Sequence, residues 1–246
     1  MKLRELLSGV EVLEWHAPEE LEIGGVSYDS RETAPGDLFV AMTGYAADGH
    51  DFIPMARGKG AVCILCERAP EDAQPWVKVA HSRRALALLS ANWFSHPAEE
   101  MTMIGVTGTN GKTSITQWLA QAADLLGEKT TIIGTVGNGF WGALEETTHT
   151  TPAPVDVQTL LYRFRQQGAT AAAMEVSSHG LDQSRVNGVP FRSAIFTNLT
   201  RDHLDYHGTM EAYGAIKSRL FYWHGLQHAI INVDDEYGAE LAGRLK

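Results

Sequence analysis

From about residue 101 to the end of the chain, short apolar runs alternate with stretches of helical periodicity. The apolar runs predict strands and are MTMIGVTG, KTTIIGTV, AAAMEVS, AIFTNL and HAIINVD. The helical stretches lie near 112–126, 155–167, 209–223 and 235–245. Strands that alternate with helices form parallel βαβ units, and continuous apolar strands are covered on both faces. The sequence therefore predicts a three-layer α/β/α domain with a mostly parallel sheet over residues 99–246.

The region before this domain has a different pattern, in which Gly, Pro and Asp separate shorter strand candidates. These candidates are GGVSYDS, DLFVAM, AVCILCE and WVKVA. A helix is predicted over RRALALLSANWF, with Ser82 as its cap and Pro97 as its stop. Residues 1–98 are therefore expected to form a small amino-terminal α/β domain.

Length and charge limit the class of protein. A chain of 246 residues is long enough for two modest domains, and its formal net charge of −10 disfavours general binding to nucleic acid or anionic membranes. No apolar run approaches the ~20 residues of a membrane helix, and the first residues lack a secretory leader. We expect a cytoplasmic protein.

The two cysteines, Cys63 and Cys66, have the spacing of a redox or zinc motif. They lie in the strand candidate AVCILCE, where odd spacing puts them on opposite faces, and no second cysteine pair completes a zinc site. We interpret both as buried strand residues.

A glycine-rich turn follows the strand MTMIGVTG and precedes the first helix of the second domain. Glycines let the backbone curl around an anion, the helix start adds partial positive charge, and a lysine adds a full one. The predicted phosphate-binding residues are Gly108, Thr109, Asn110, Gly111, Lys112, Thr113 and Ser114. Val106 stands where the strict nucleotide-binding motif requires Gly, so a purely structural turn is the alternative.

Acidic and imidazole side chains follow two other strands of this domain. Glu175 ends AAAMEVS, where a carboxylate can hold Mg²⁺ together with the Thr113 hydroxyl, although a solvated strand end is also possible. The loop after AIFTNL carries His203, Asp205 and His207, and their spacing does not decide which of them converge.

Two further segments are ambiguous from the residues alone. Lys217 lies beside an apolar helical stripe, which is typical of a surface lysine. His149, Thr150 and Thr151 lie in a loop, where their side chains either bind a ligand or cap local turns.

Taken together, these segments resemble the Mur ligase family of bacterial cell-wall synthesis, in its MurE type. The matching segments are GVTGTNGKTS, GTVGNG, TTP, MEVSSHGL, FTNLTRDHLDYHGTMEAY and the helical Lys217. GVSYDSR and DLFVAMTGYAADGHDFIPMA resemble the substrate-anchoring domain of the same type. The resemblance spans nearly the whole chain, and it implies an amino-terminal UDP-MurNAc-binding domain and a central ATP-binding domain.

The resemblance implies an ATP-dependent amide ligase of peptidoglycan precursor synthesis. The γ-phosphoryl group of ATP passes to a carboxylate of UDP-MurNAc-L-Ala-D-Glu, and the amine of a diamino acid attacks the resulting acyl phosphate. The segment EVSSHGLDQSRV favours meso-diaminopimelate over L-lysine as the amino acid that is added. The implied partners are small molecules, with no nucleic acid and no membrane, and a monomer is expected.

The family's site residues carry over by position. Lys112, Glu175, His203 and Lys217 are implied as catalytic, with ATP on residues 108–114. Two Mg²⁺ ions are implied on Thr113, Glu175, His203 and Lys217, the last modified to N6-carboxylysine. The implied substrate contacts are Tyr28, Ser30, Tyr45, Ala46, Ala47, His149, Thr150, Thr151, Ser177, Gln183 and Arg185. His149 and Ser114 depart from the Asn and Thr that are common in the family.

Family members are longer, so we expect a truncated form that lacks the carboxyl-terminal amino-acid-binding domain, has an incomplete central domain and shows weak or no ligase activity alone. Two alternatives remain at this point: a ligase similar to folylpolyglutamate synthase, or a non-catalytic nucleotide-binding or UDP-MurNAc-binding fragment. An ordinary kinase or GTPase fits less well because the strict loop spacing is missing.

Overall fold

The polypeptide divides into two units, Met1–His96 and Pro97–Lys246. A computed structural model describes residues 1–44, 47–72 and 74–245 of them. Tyr45 and Ala46, which are implied substrate contacts, lie outside the described residues. Each unit has its own sheet, and both sheets are mostly parallel, which confirms the predicted α/β class.

The first unit contains a five-stranded sheet. Its strands are β1 (Val12–His16), β2 (Gly25–Ser27), β3 (Asp37–Val40), β4 (Cys63–Cys66) and β5 (Trp76–Val79), in the spatial order β1-β5-β4-β3-β2. Its helices are α1 (Leu3–Leu6), α2 (Ile53–Gly58) and α3 (Ser82–Trp93). The edge strand β1 runs antiparallel to β5, and the pairings β5–β4, β4–β3 and β3–β2 are parallel.

The central strand of this sheet holds both cysteines. Every residue of β4 is buried, and burial raises the pKa of the Cys63 and Cys66 thiols to about 12. A thiol that stays protonated is a poor metal ligand and nucleophile. The interpretation of the pair as buried strand residues is confirmed.

The second unit is built on a seven-stranded sheet. Its strands are β6 (Thr102–Thr107), β7 (Thr130–Gly134), β8 (Gly137–Phe140), β9 (Ala143–Glu145), β10 (Ala171–Glu175), β11 (Phe191–Phe196) and β12 (His228–Ile231). Its helices are α4 (Lys112–Leu125), α5 (Pro154–Gln166), α6 (Ser178–Asp182), α7 (Leu204–His207), α8 (Met210–Ser218) and α9 (Glu236–Arg244). The spatial order is β12-β11-β6-β10-β7-β8-β9.

The topology of this sheet gathers the polar strand ends. β6 lies in the middle, between β10 and β11, and all three strands are parallel. In the register, Glu175 is opposite Val106 and Phe196 is opposite Thr107. The loop after β6 therefore lies between the carboxyl ends of two neighbours that are distant in sequence, at the edge where ligands bind in open α/β sheets.

Three local predictions differ from the structure. Ser82 is the first residue of α3 and not its cap, because the Glu67 carboxylate accepts hydrogen bonds from both its amide and its hydroxyl, at 2.8 and 2.7 Å. The helix expected over 209–223 is α8, capped by Thr209, followed by a 3₁₀ turn. The segment after β7 forms the antiparallel β8–β9 hairpin. This hairpin was not predicted because its glycines interrupt the apolar pattern that indicates a strand.

None of the helices in the described ranges combines the length and the apolar character that crossing a membrane requires.

Candidate active site

The turn between β6 and α4 contains the predicted phosphate-binding residues. Gly108 has φ +140° and Gly111 has φ +86°, which are conformations that favour glycine. A side chain at Gly108 would also overlap the hydroxyl of Thr197. The 14-residue helix α4 begins directly after the turn, so its partial positive charge lies at the carboxyl edge of the sheet. Both glycines are thus required by the backbone, and the turn is suited to an anion.

The loop after β11 holds this turn from the side. The Asn198 side chain accepts a hydrogen bond from the amide of Asn110 at 3.1 Å and donates to the Asn110 carbonyl at 3.2 Å. The Asn198 carbonyl accepts from the amide of Thr109 at 2.8 Å, and the Thr197 hydroxyl donates to the Asn110 carbonyl at 2.6 Å. Asn198 therefore forms hydrogen bonds with both amide and carbonyl groups of the turn. These bonds limit the backbone of the turn to one conformation.

Two lysine side chains meet at one carbonyl of the turn. Lys112 Nζ donates to the carbonyls of Gly108 and Thr109 at 3.0 and 2.9 Å, and Lys217 Nζ donates to the Gly108 carbonyl at 2.8 Å. Lys217 is only 1% exposed, and its Nζ lies 4.5 Å from the centre of the Tyr213 ring. The residue that looks like a surface lysine in the sequence is therefore fully buried beside the turn between β6 and α4.

Burial and like charge change the titration of this pair. Burial, together with the charge of Lys112, lowers the pKa of Lys217 to about 7, while Asp202 acts in the opposite direction. Burial also lowers the pKa of Lys112, against the opposing effects of Glu175 and Asp202. Near neutral pH a large share of Lys217 is therefore the neutral amine, the form that can react with CO₂.

Replacing Lys217 by Met is expected to remove a pH dependence of stability. Its pKa is about 7 in the folded unit against an ordinary value of 10.5, so between these values the unfolded chain binds more protons and the free energy of unfolding rises with pH. From pH 7 to 10 the free energy of unfolding of the wild type is expected to rise by on the order of 4 kcal/mol through this group, and Lys217→Met loses that rise.

Urea denaturation at successive pH values in CO₂-free buffer, followed by circular dichroism, measures this dependence. The exposed Lys129 provides the matched control, since Lys129→Met leaves the buried amine in place. If the curves of wild type and Lys217→Met run parallel over this pH range, the assignment of the low pKa to Lys217 is wrong.

Glu175 is buried at the end of β10 and is not a solvated strand end, since it is 1% exposed. Its Oε2 accepts hydrogen bonds from the hydroxyls of Thr113 and Thr135, both at 3.1 Å, and its Oε1 accepts from the Thr135 amide at 2.9 Å. A side chain on Gly134 would overlap the carboxylate. The carboxylate is therefore held firmly in a pocket of hydroxyl and amide groups next to the start of α4.

These groups fit a magnesium ion. The Glu175 carboxylate and the Thr113 hydroxyl are hard oxygen donors, and Mg²⁺ is usually held by one or two carboxylates together with water and substrate phosphates. Across residues 1–44, 47–72 and 74–245, no three or more His, Cys, Asp or Glu side chains are grouped to hold a metal ion by themselves. The oxygen donors at Glu175 suit an ion shared with a phosphate group.

His203 lies beside Tyr213, the residue that also contacts the buried lysine. It has φ +51°, directly before α7, and its Nε2 is 3.5 Å from Asp202 Oδ2. The centre of its ring is 6.2 Å from that of Tyr213, the ring over which Lys217 Nζ lies. Both implied ligands of a second ion therefore contact or adjoin one tyrosine ring.

Two more histidines pack beside His203. The ring of His179 is 4.9 Å from that of His203 and 5.5 Å from that of His207. Burial is the largest cause that lowers the pKa of both His179 and His207. His207 Nε2 lies 2.9 Å from the Ser178 hydroxyl. Of the histidines whose roles the spacing left open, His207 is turned towards α6.

Four implied substrate contacts form one hydrogen-bonded group beside Glu175. The Thr151 hydroxyl donates to the Glu175 carbonyl at 2.8 Å and accepts from the Ser177 amide at 3.0 Å. Arg185 donates to the Thr151 carbonyl at 2.7 Å and to Gln183 Oε1 at 2.7 and 3.2 Å. The structure therefore brings these side chains to the same sheet edge as the phosphate-binding turn.

The remaining two contacts in this unit have different surroundings. The Thr150 hydroxyl lies 3.0 Å from the hydroxyl of Thr135, which itself binds Glu175. His149 is exposed, with its Nδ1 2.8 Å from the Thr148 hydroxyl. Thr150 therefore joins the group around Glu175, and His149 stays on the loop surface.

In the first unit, a cavity of about 430 Å³ contains three of the implied substrate contacts, Tyr28, Ser30 and Ala47. The other residues lining it are Asp29, Arg31, Phe39, Met42, Gly49, Phe52 and Met55. Hydrogen bonds from Arg31 lower the pKa of Asp29 to about 2, so this carboxylate stays ionised. The cavity thus combines aromatic and methionine side chains with a guanidinium and a carboxylate.

Three residues of the site in the second unit were not found from the sequence. Thr135 holds Glu175, Asn198 binds the phosphate-binding turn, and Tyr206 donates to Asp182 at 2.8 Å. The signal for Asn198 and Tyr206 was their place in a polar loop after an apolar strand. Their partners lie on other loops, so the sequence offered no way to choose them.

Comparisons with known proteins agree with this geometry. The family profile described as Mur ligase middle domain matches residues 106–246, and the profile described as Mur ligase family, catalytic domain, matches residues 22–94. The matches therefore cover both units.

Several relatives share the name UDP-N-acetylmuramoyl-L-alanyl-D-glutamate--2,6-diaminopimelate ligase. The relative from Neisseria meningitidis serogroup A is 70% identical over 224 residues, covering 89% of this chain and 46% of the relative. The one from Pseudomonas aeruginosa is 50% identical over 233 residues, covering 92% of this chain and 48% of the relative.

A solved structure with the same ligase name superposes with a TM-score of 0.84 at 33% identity, covering 99% of this chain and 49% of the other. The chain spans about half the length of the relatives it matches. Because a family profile matches more than half of its residues, including the phosphate-binding turn, Glu175 and Lys217, the chain belongs to the Mur ligase family.

Proposed function

We propose that this chain supplies the substrate-binding and ATP-binding parts of a ligase that adds meso-diaminopimelate to UDP-MurNAc-L-Ala-D-Glu. The observation that carries the proposal is the convergence of the phosphate-binding turn, Lys112, Glu175 and Lys217 at one sheet edge. The names of the relatives support the choice of substrates, including the diaminopimelate. Because the reaction consumes ATP, we propose a cytoplasmic location.

In this proposal residues 99–246 bind ATP. The amides of residues 108–114 face the phosphates, and the ammonium of Lys112 neutralises the β- and γ-phosphates. In the structure, Lys112 donates to carbonyls of its own turn. When ATP binds, its long side chain needs only to exchange these acceptors for phosphate oxygens. The Asn198 contacts keep the turn in the required conformation without a ligand, which lowers the entropy lost on binding.

The reaction activates a carboxylate, because carboxylate and amine do not condense in water. The carboxylate oxygen attacks the γ-phosphorus, the bond to the β-phosphate oxygen breaks, and ADP leaves. The amine then displaces phosphate from the acyl phosphate and loses a proton. Phosphoryl transfer depends mainly on positioning and on cations around the moving group. This chain provides the positions through Thr113, Glu175 and Lys112.

Two magnesium ions are proposed at this edge. Thr113 and Glu175 would hold the first, and His203 with modified Lys217 would hold the second. When bound, such ions stabilise the negative charge of the transferred phosphoryl group. The position of Lys217 and His203 next to the same Tyr213 ring supports their common role.

The surroundings of Lys217 support its proposed modification. A buried amine with a pKa of about 7 is partly neutral, and CO₂ adds to a neutral amine to give a carbamate and a released proton. The carbamate nitrogen keeps one N–H for the Gly108 carbonyl, which Lys217 already contacts at 2.8 Å. The product replaces a buried cation by an anionic oxygen ligand, which suits a magnesium ion.

Residues 1–98 are proposed to bind the UDP part of the substrate in the cavity that contains Tyr28, Ser30 and Ala47. The aromatic and methionine side chains there suit a base, and the Arg31 guanidinium suits a phosphate. In the second unit, Thr150, Thr151, Ser177, Gln183 and Arg185 are proposed to contact the peptide end, and His149 is an additional candidate on the loop.

A non-catalytic binder is the alternative from a different class. Three reactive groups at one turn, Lys112, Glu175 and Lys217, favour the enzyme, because a binder needs neither the buried amine nor the enclosed carboxylate. A ligase similar to folylpolyglutamate synthase shares the turn and the lysine, but it leaves the DSR and GYAADG segments of the first unit without a role.

Calorimetry and phosphate release test the proposal. The purified chain is expected to bind the magnesium complex of the ATP analogue AMP-PCP, and UDP-MurNAc-L-Ala-D-Glu at a separate site. Phosphate release from ATP that depends on this nucleotide-sugar peptide, and not on UDP-GlcNAc, indicates an enzyme. Binding of both ligands without phosphate release shows that the chain by itself acts as a binder, and binding of neither contradicts the proposal.

A further inference from the structure

The orientation of Gln183 is decided by its neighbour Arg185. A guanidinium has only donors, so the group of Gln183 that faces it must be the carbonyl oxygen. Oε1 accepts from Arg185 Nη2 at 2.7 Å and from Nε at 3.2 Å. The amide nitrogen of Gln183 therefore points away from Arg185 and needs an acceptor.

Tyr206 supplies that acceptor. Gln183 Nε2 donates to the Tyr206 hydroxyl at 3.3 Å. The hydroxyl is able to accept because its own proton is donated to Asp182 Oδ2 at 2.8 Å. Donation thus runs in one direction, from Arg185 through Gln183 and Tyr206 to the Asp182 carboxylate. An acceptor at the end of the series sets the direction of every hydrogen bond before it.

The ring of Tyr206 is also held in place. Its centre lies 4.3 Å from that of His179 and 4.7 Å from that of His207. Tyr206 belongs to α7, which starts directly after His203. The hydroxyl is therefore aimed at Gln183 from the loop that carries an implied metal ligand, and its direction is limited by aromatic packing on two sides.

The pair that Tyr206 holds lies where the acid end of a substrate must arrive. Arg185 donates to the Thr151 carbonyl at 2.7 Å, and the Thr151 hydroxyl donates to the carbonyl of Glu175 at 2.8 Å. Glu175 in turn binds Thr113 at the start of α4. A carboxylate that receives a phosphoryl group must reach this edge, and a guanidinium suits carboxylates in a paired geometry.

We propose that Tyr206, oriented by Asp182, is a positioning residue that fixes the Gln183–Arg185 pair for the carboxylate end of the nucleotide-sugar peptide. This inference rests on the proposed function. Tyr206 acts through Gln183, and its effect is therefore confined to ligands that carry the carboxylates of the terminal Glu.

Replacing Tyr206 by Phe tests the role with little change of the ring. The variant leaves Gln183 Nε2 without its acceptor, so the Gln183 side chain is no longer held from α7 and is free to rotate away from Arg185. Affinity for UDP-MurNAc-L-Ala-D-Glu is expected to fall about tenfold, the usual effect of losing one hydrogen bond that holds a charged contact. Affinities for UDP-MurNAc-L-Ala, which lacks the terminal Glu, and for magnesium AMP-PCP are expected to stay within about twofold.

Asp182 variants examine the direction of the hydrogen bonds. Asp182→Asn keeps an acceptor for the tyrosine proton and is expected to retain most of the affinity, whereas Asp182→Ala is expected to match Tyr206→Phe. The double variant Asp182→Ala/Tyr206→Phe is then expected to bind UDP-MurNAc-L-Ala-D-Glu as tightly as either single variant, because both substitutions break the same series of hydrogen bonds.

Two control variants accompany these substitutions. Asp182 also pairs with Arg219 at 3.5 Å, so Arg219→Gln is the control for that contact. Tyr222→Phe, at a tyrosine that is 59% exposed, is the control for loss of a hydroxyl.

Calorimetric titration of the purified wild-type chain and variants with the three ligands gives the answer. Unchanged affinity of Tyr206→Phe for UDP-MurNAc-L-Ala-D-Glu overturns the inference. An equal loss for both nucleotide-sugars also overturns it, because that pattern indicates a general structural role. If the wild-type chain binds the shorter nucleotide-sugar and the longer one with equal affinity, Arg185 does not read the carboxylate. If it binds neither, the proposed function falls as well.

Discussion

Replacing Lys112 by Met is expected to lower nucleotide-sugar-peptide-dependent turnover of ATP by about 10³-fold, the effect typical of removing a cation from a transferred phosphoryl group. Lys112 is the charged side chain of the phosphate-binding turn, and its Nζ already lies within the turn, 2.9 Å from the Thr109 carbonyl. Met preserves the length of the side chain and removes the charge, so packing at the start of α4 changes little.

A second effect of the same variant acts through the buried amine. The charge of Lys112 lowers the pKa of Lys217, so its removal raises that pKa and reduces the share of neutral amine at pH 7. Less neutral amine means less carbamate, and intact-mass analysis of the variant is therefore expected to show less CO₂ adduct than the wild type. Loss of turnover and loss of adduct have one electrostatic cause.

Binding of magnesium AMP-PCP by calorimetry and release of phosphate measure the first effect. Lys129→Met is the matched control because Lys129 is an exposed lysine of the same unit. Retention of turnover within tenfold by Lys112→Met would falsify the assignment of the turn as the phosphate-binding site.

Replacing Lys217 by Ala is the second change with a large expected effect. The variant removes a proposed ligand of the second magnesium ion, and we expect turnover to fall roughly 100-fold or more, since even the outer partners of a metal site are typically worth 10–100-fold. The fold itself is expected to remain, because burying a lysine at neutral pH opposes stability and its loss relieves this cost.

Chemical rescue separates the carbamate from a simple ammonium role. A short carboxylic acid such as acetate fits the space left in Lys217→Ala and supplies the missing anionic oxygen, so it is expected to restore part of the turnover. Restoration is partial because a free acid lacks the effective concentration of a tethered group. Lys112→Met provides the control, since acetate cannot replace a cation.

Two outcomes contradict the carbamate. One is an unmodified wild-type protein with full activity, judged by intact mass in bicarbonate buffer. The other is rescue of Lys217→Ala by methylamine and not by acetate, which indicates that the site needs a cation. In either case Lys217 keeps its place beside Gly108, but its proposed role as a metal ligand is lost.

Strand and helix types were predictable where the local pattern was strong. The apolar runs that became β6 and β10 are continuous and mostly buried, as expected for strands covered on both faces, whereas β11 includes the exposed Arg192. The β8–β9 hairpin was missed because Gly137 and Gly139 carry no apolar side chain, and the antiparallel pairing depends on neighbours and not on periodicity. The cap of α3 was assigned wrongly because Glu67, which binds Ser82, lies 15 residues away.

The amino-acid sequence by itself determined the glycine-rich turn between β6 and α4 and the resemblance to Mur ligases. A turn of this kind depends on glycines and a helix start that are adjacent in the chain, so local backbone preferences are enough to predict it. The same holds for the buried strand around Cys63 and Cys66.

Only the tertiary structure decided the state of the groups around that turn. The sheet inserts β10 between β6 and β7, which brings Glu175 to Thr113, and it carries Lys217 to a carbonyl 109 residues earlier in the chain. Burial there makes the lysine partly neutral, and the same folding gives Tyr206 its acceptor Asp182. Desolvation and hydrogen-bond direction depend on all surrounding elements at once, and no periodicity within a single segment carries that information.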